Sequence, residues 1–199
     1  SKHTLRSSEW FAGNDEVALS HRVVMASVGL EVDPDNKRPI IGIADSSSEL
    51  NPCNLPLRDY IDDIKAGIIE AGGLPLVFSV MSLGEDLMKP SAMLYRNLLS
   101  MEVEEYLRSY PLDGVVLLAN CDKSVPGALM GAASSNLPTI MFTAGARPAA
   151  IFKGKRIGTG TDLWRMWAEF RAGKISQDEW REFEGCLNCG LGACNTMGT

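Results

Sequence analysis

Asn120-Cys121-Asp122-Lys123, followed by Ser-Val-Pro-Gly, sets a thiol, a carboxylate and an amine side by side directly behind the apolar run Gly114 to Ala119. A soft sulfur ligand, a hard oxygen ligand and a modifiable amine at adjacent positions suit a site that holds two unlike metals. The same residues also make an ordinary strand-to-helix turn, in which Asp122 or Ser124 caps the helix that Pro126 opens. Two more cysteine loops compete for the chemistry. Cys53 lies in Asn51-Pro52-Cys53-Asn54, and Cys194 lies in Gly190 to Thr199, where Gly190, Gly192 and Gly198 let backbone amides approach an anion or cluster closely. Three thiolates without histidine favour an iron-sulfur centre over a catalytic zinc. The plain alternative is three thiols buried as core residues. Cys186-Leu-Asn-Cys189 adds a CxxC, but a lone pair leaves zinc two ligands short. Glu85, in Ser82-Leu-Gly-Glu-Asp86, offers another carboxylate or simply an exposed loop acid, and Asp45 to Glu49 reads as a hydroxyl-lined edge or a satisfied turn.

These residues need a scaffold that gathers loops far apart in sequence. Pro39 to Ala44, Leu74 to Val80, Gly114 to Ala119 and Pro138 to Thr143 read as short buried strands. Helical patterns separate them: Leu57, Ile61, Ile64 and Ile68 recur at helical spacing up to Gly72-Gly73, and Pro126 to Ser135 follows the third strand. Between the second and third strands, Pro90 opens one helical stretch through Leu99 and Ser100 caps another with Glu102, Glu104 and Glu105 in its first turn. Buried rather than alternating runs, joined by helices, predict an α/β fold: a three-layer, doubly wound, mostly parallel sheet with helices on both faces. Its carboxyl edge would carry the loops of Cys53, Glu85 and Cys121, where ligands bind in such sheets. A C-terminal helical hairpin is expected beyond it, with Thr161 capping a helix that carries Leu163, Met166, Trp167 and Phe170 on one face, Gly173 ending it, and Ser176 to Glu179 forming a capping box. Trp164, Trp167 and Trp180 read as packing anchors. The domains expected are an N-terminal arm over 1–36, the α/β core over 37–150, and a helical extension over 151–199 that carries Cys194.

Composition removes whole classes of function. With 199 residues, 45% hydrophobic and 22% charged, the chain has material for one sizeable core. A formal charge of −6 and the lack of a basic stripe argue against nucleic-acid binding. No apolar run is long enough to span a bilayer, and the first ten residues lack the apolar segment of a signal peptide, so a cytoplasmic location with no membrane contact is expected. Five cysteines, an odd and scattered set, indicate reduced thiols rather than a disulfide framework. With only His3 and His21 available, acid-base work falls to carboxylates, lysine or metal-bound water. Gly154 to Gly160 fits neither the Walker nor the dinucleotide pattern.

Glu49-Leu-Asn-Pro-Cys-Asn54, Asn120 to Met130 and Gly192 to Thr199, in this order, resemble the dihydroxy-acid and sugar-acid dehydratase family, with the likeness running from about Leu5 to the last residue. The resemblance implies that Cys53, Cys121 and Cys194 hold an iron-sulfur cluster, with 2Fe-2S favoured and 4Fe-4S the alternative. It implies that Glu85, Asp122 and Lys123 hold Mg2+, the lysine as a carbamate, with Asp122 and the Lys123 carbamate at the catalytic centre. A bare ammonium would repel a dication, whereas a carbamate adds an anionic oxygen. Ser82 to Glu85 and the Cys186 to Cys194 spacing look more like the arabinonate and xylonate dehydratase branch than the branched-chain biosynthetic enzyme. The implied reaction removes water from a 2,3-dihydroxy sugar acid to give a 2-keto-3-deoxy acid, with magnesium on the carboxylate and C2 hydroxyl and an open iron as Lewis acid at the C3 hydroxyl. Family members are longer, are usually homo-oligomers, and take their catalytic base, a serine, from a second domain. The 199 residues alone are therefore expected to be inactive. An iron-sulfur binding or electron-transfer module without lyase activity is the rival from another class, and an α/β domain with buried thiols is the plainest one.

Overall fold

The computed structural model describes residues 4–146 and 148–187. The N-terminal arm is more ordered than its mixed composition suggests, holding α1 (Ser8–Phe11) and α2 (Glu16–Ser27). Asp15 caps α2 by accepting the Ala18 N–H at 2.9 Å. The arm is tied down by charge and backbone together. Arg6 donates to the carbonyls of Tyr110 and Leu112 at 2.7 and 3.0 Å, and also to that of Arg108. Asp113 accepts from Ser7 N on the arm at 2.9 Å and from Ile40 N at the start of the first strand at 2.8 Å.

The core is a four-stranded parallel sheet: β1 (Ile40–Asp45), β2 (Leu74–Ser79), β3 (Gly114–Leu118) and β4 (Thr139–Phe142), in the order β2-β1-β3-β4. β1 pairs with both β2 and β3, Ala44 lying opposite Phe78 on one side and Leu117 on the other. The chain runs outward from β1 to β2, then crosses back to β3 on the other flank. The strand order therefore reverses between β1 and β3, which opens a crevice at their carboxyl ends.

Successive strand residues pack against different helices, because side chains on a strand alternate between faces. Ile43 and Leu118 meet Leu57 together with Ile61, Ile64 and Ile68 of α3 (Ile61–Glu70). Ala44, Val115 and Leu117 meet Leu99, Val103 and Leu107 of α4 (Arg96–Ser109) and Ala128 and Ala132 of α5 (Ser124–Ser135). Leu99 and Val103 are fully buried, each contributing about 2 kcal/mol of apolar transfer.

α4 differs from the two-helix expectation. Ser91 caps a 3-10 turn over Ala92–Tyr95 that runs directly into one unbroken α4, with Ser100 buried at its middle. The apolar stripe Leu99, Val103, Leu107 is continuous, and its burial outweighs the capping preference of a serine. α4 and α5 cross so closely that a Cβ on Gly131 would lie 2.4 Å from the Ser100 carbonyl. α5 begins at Ser124, two residues before Pro126, and its N-cap Lys123 makes no side-chain capping bond. Neither Asp122 nor Ser124 is the cap that the turn chemistry suggested. Asn136 ends the helix in the left-handed conformation, φ 56°.

Beyond the sheet, β5 (Ala150–Phe152) and β6 (Lys155–Ile157) form an antiparallel pair that the sequence pattern did not reveal. They share a second apolar cluster with α6 (Thr159–Arg171) and α7 (Gln177–Leu187), centred on Phe152, Ile157, Met166, Trp180 and Phe183. Gly158, not Thr161, is the N-cap of α6, while Ser176 Oγ does accept the Glu179 N–H at 3.1 Å. Gly173, at φ 68°, lies just past the end of α6. Trp180 is the buried anchor expected, but Trp164 is 70% exposed because it lies off the Leu163, Met166, Phe170 face. No described helix is long and apolar enough to cross a membrane.

Candidate functional site

The crevice between β1 and β3 gathers loops from three strands. Cys53, in the loop after β1, and Cys121, in the loop after β3, form a buried pair, 1% and 3% exposed. Cys121 has φ 73°, a left-handed backbone that a residue with a Cβ adopts only under local constraint. Cys53 Sγ faces Asp86 Oδ2 at 3.6 Å, and Cys121 Sγ faces Asp122 Oδ1 at 3.5 Å. Asp86 was not among the sequence candidates. Cys186 sits in α7, half-buried beside the second apolar cluster, whereas Cys189 and Cys194 lie outside the described residues.

Next to the thiols, Lys123 Nζ stands between two carboxylates, 2.7 Å from Glu85 Oε2 and 2.9 Å from Asp122 Oδ2. Glu85 comes from the loop after β2, so the sheet brings together the acid and the amine as expected. The Glu85 contact, with Asp122 in support, raises the Lys123 pKa, opposed by burial of the amine. The Lys123 ammonium, helped by Ser91 and the Ala92 N–H, lowers that of Glu85 against the opposing effect of burial. Among the described residues, Glu85 Oε2 has no donor besides the Lys123 ammonium at 2.7 Å.

This donor set fits a hard cation. The ammonium of Lys123 already plays the part of a cation between Glu85 and Asp122, whose carboxylate oxygens suit a metal ion in its place. The buried sulfurs of Cys53 and Cys121 fit a soft, sulfur-bound metal. Among the described residues no three His, Cys, Asp or Glu side chains already stand in metal-holding geometry. The sulfur expected from position 194 lies outside the described residues, and an ammonium stands in the gap between the carboxylates.

Beneath the site lies a buried polar lattice that sequence reasoning missed. Asn54 Nδ2 donates to Ser46 Oγ at 2.8 Å and to Ser124 Oγ at 3.2 Å, and Asn54 Oδ1 accepts the Asn120 N–H at 3.0 Å. Ser46 Oγ donates to the Leu118 carbonyl at 2.6 Å, and Ser124 Oγ to the Leu83 carbonyl at 2.7 Å. Asn51 Oδ1 accepts the Cys53 N–H at 3.2 Å, and Asn51 packs so tightly on Gly84 that a Cβ there would lie 2.6 Å from its carboxamide carbon. These bonds stitch the loops after β1, β2 and β3 into one unit. Of the hydroxyl-lined edge, Ser47 only closes a turn onto Asp45, by its N–H at 2.8 Å and its hydroxyl at 2.9 Å, whereas Ser46 is a buried tie.

Residues 38–199 match the family model described as dihydroxy-acid/6-phosphogluconate dehydratase N-terminal, and the chain belongs to that family as an N-terminal portion. Over 98% of its length it is 45% identical to the 6-deoxy-6-sulfo-D-gluconate dehydratase of Pseudomonas putida, covering 34% of that protein. It is 44% identical to the L-arabinonate dehydratase of Rhizobium leguminosarum bv. trifolii over 96% of its length, covering 33% of that enzyme. With the dihydroxy-acid dehydratase of Methanobrevibacter smithii it shares 38% identity over 90% of its length, covering 33% of that enzyme. The chain thus spans about a third of the curated relatives it matches.

Proposed function

We propose that this chain is the cluster- and magnesium-binding part of a hydro-lyase that dehydrates a sugar acid, a 2,3-dihydroxy acid, to a 2-keto-3-deoxy acid. The observation that carries the reading is the buried Cys53 and Cys121 pair set beside the Glu85, Lys123, Asp122 ion triad at the strand-order reversal. In this reading Cys53, Cys121 and Cys194 hold an iron-sulfur cluster, with 2Fe-2S favoured, and Glu85, Asp122 and Lys123 as a carbamate hold Mg2+. When bound, the two groups supply Lewis acidity, one toward the substrate carboxylate and C2 hydroxyl and the other toward the C3 hydroxyl.

The residues of the chain do the rest. In carbamylation the Lys123 ammonium gives up one proton to become the amine, and the amine joins carbon dioxide with loss of a second proton, leaving an anion in place of the cation. The occupant that repels a dication thereby becomes a third oxygen beside Glu85 and Asp122. The buried thiols keep the sulfur side of the crevice dry, while Glu85 and Asp122, roughly a third exposed, keep the oxygen side open to a polar substrate. The side chain that takes the C2 proton belongs, in this reading, to the part of the relatives' length not spanned here, as do most contacts that choose the sugar acid.

The 44% and 45% identities to the L-arabinonate and 6-deoxy-6-sulfo-D-gluconate dehydratases favour the arabinonate side of the sugar-acid branch, the identities being 38% to the dihydroxy-acid enzyme and 34% to a D-xylonate dehydratase. An electron carrier has no use for a hard-cation site next to its thiols, which disfavours that rival. We read the core as doubly wound, the protein as cytoplasmic, and its full-length form as a homo-oligomer. The test is formation of 2-oxo acid from a panel of aldonates by full-length protein purified without oxygen. The proposal expects turnover that is lost on removing Mg2+ with a chelator and restored by adding it back. No 2-oxo acid from any aldonate or branched dihydroxy acid would contradict it.

A further inference from the structure

Each of the paired thiols has an asparagine as one of its two chain neighbours, and the two asparagines are hydrogen-bonded. Asn54 follows Cys53, and Asn120 precedes Cys121. The Asn120 N–H donates to Asn54 Oδ1 at 3.0 Å, and Asn120 Nδ2 donates back to the Cys53 carbonyl at 3.1 Å. Both asparagines are completely buried. The second Asn120 contact, Nδ2 to the Gly145 carbonyl at 3.5 Å, reaches the loop after β4, while Asn54 Nδ2 reaches Ser46, Ser82 and Ser124.

Among the described residues, none donates a hydrogen bond to the buried Asn120 Oδ1. Turning the amide over does not help, because the oxygen would then face the carbonyls of Cys53 and Gly145. An unmet buried acceptor destabilises a fold. What the Asn120 side chain does hold is the Cys53 backbone, through Nδ2. The same residue's N–H is anchored just before the left-handed Cys121, fixing the strained turn that aims its sulfur.

We infer that Asn54 and Asn120 are positioning residues, a clasp in which Asn120 donates to both the Asn54 side chain and the Cys53 backbone and so sets the separation of Cys53 and Cys121 whatever those sulfurs bind. The purpose of the clasp rests on the cluster reading above, but its test does not. Phenylarsine oxide condenses with two neighbouring thiols, forming two arsenic-sulfur bonds and releasing one water with arsenic still trivalent, so it reads thiol spacing without iron and without oxidation. The experiment uses full-length protein stripped of iron, with every cysteine except Cys53 and Cys121 replaced by serine. The parent should bind one equivalent, and Asn54→Ala and Asn120→Ala should each weaken binding at least about tenfold with unchanged far-UV circular dichroism. Asn120→Asp should weaken it too, by turning an anionic oxygen toward the two carbonyls. If an alanine variant does not fold, Asn54→Ser and Asn120→Ser, which keep a hydroxyl but not the reach, provide the same comparison. Equal affinity in folded variants, or no binding by the parent, overturns the clasp. Absence of iron from untreated wild-type protein would instead remove the cluster reading while leaving the arsenical comparison valid.

Discussion

Lys123 shows how much of the site is decided by single charges. Its ammonium is the one counter-ion between Glu85 and Asp122 among the described ion pairs at the crevice. Lys123→Met leaves the two carboxylates facing each other, and should lower stability by about 1 kcal/mol in urea unfolding, a modest figure because both acids are partly exposed and screened. It should also abolish dehydration by the full-length protein, since no carbamate can form. Gly84 acts through contact rather than charge. In Gly84→Ala the new Cβ would collide with Asn51, which holds the Cys53 N–H, so we expect a loss of about 1–3 kcal/mol and a lower iron content at equal protein. Cys121, Asp122 and Lys123 drew notice in the sequence because they stand directly behind an apolar run, whereas Cys53 and Glu85 lie several residues beyond β1 and β2 and were singled out chiefly by the family resemblance. Asn54, Ser46, Ser82 and Ser124 were not legible. Asparagine and serine read as turn formers until the three-dimensional neighbours show that they are buried and bonded across loops.

At the scale of elements, the contact between α4 and α5 is set by the missing side chain of Gly131. Gly131→Ala puts a methyl group 2.4 Å from the Ser100 carbonyl, and should destabilise by about 2–3 kcal/mol in chemical unfolding while tilting the helix that starts beside Lys123. The parallel strands were readable from their unbroken apolar runs; β1 and β3 are buried as that pattern predicts, whereas the edge strands β2 and β4 are partly exposed despite it. The split of α4 was misread because serine followed by glutamates looks like a cap, whereas packing of Leu99, Val103 and Leu107 carries the helix through it. Glu102 in fact reaches out to accept the Met81 N–H at 2.8 Å, just before the Glu85 loop. β5 and β6 have three residues each, too few for a period to register. On α6, Asp162 accepts from Arg165 at 2.8 Å, the Gly158 N–H at 2.9 Å and the Thr161 hydroxyl at 2.9 Å, and these hold its carboxyl below its usual value of 3.8. A lowered folded-state pKa gives stability that is present above 3.8 and lost as pH falls through the folded value. The melting temperature of wild type should therefore exceed that of Asp162→Asn at neutral pH, and the gap should close as the pH is taken below 3.8.

The whole molecule is a scaffold that brings distant loops to one crevice, and its N-terminal arm is part of that scaffold. Arg6→Ala removes donors to the carbonyls at the end of α4 and a guanidinium stacked 4.8 Å from the Trp10 ring, so amide exchange over residues 5–30 should quicken while the sheet stays protected. Val17, Val23, Val24 and Val28 of the arm, Ile140 at the sheet edge and Trp164 on α6 are exposed apolar residues. With about a third of the relatives' length spanned, the 199 residues alone should produce no 2-oxo acid from any aldonate, even when loaded with iron and magnesium. In the reading proposed above, sulfurs 53, 121 and 194 share one inorganic centre. Iron and acid-labile sulfide should be measured in full-length protein purified without oxygen, beside Cys53→Ser, Cys121→Ser and Cys194→Ser. About two irons and two sulfides per wild-type chain are expected, with visible absorbance lost in each folded variant. Wild-type protein free of iron, or any of the three variants holding its iron unchanged, would contradict that reading.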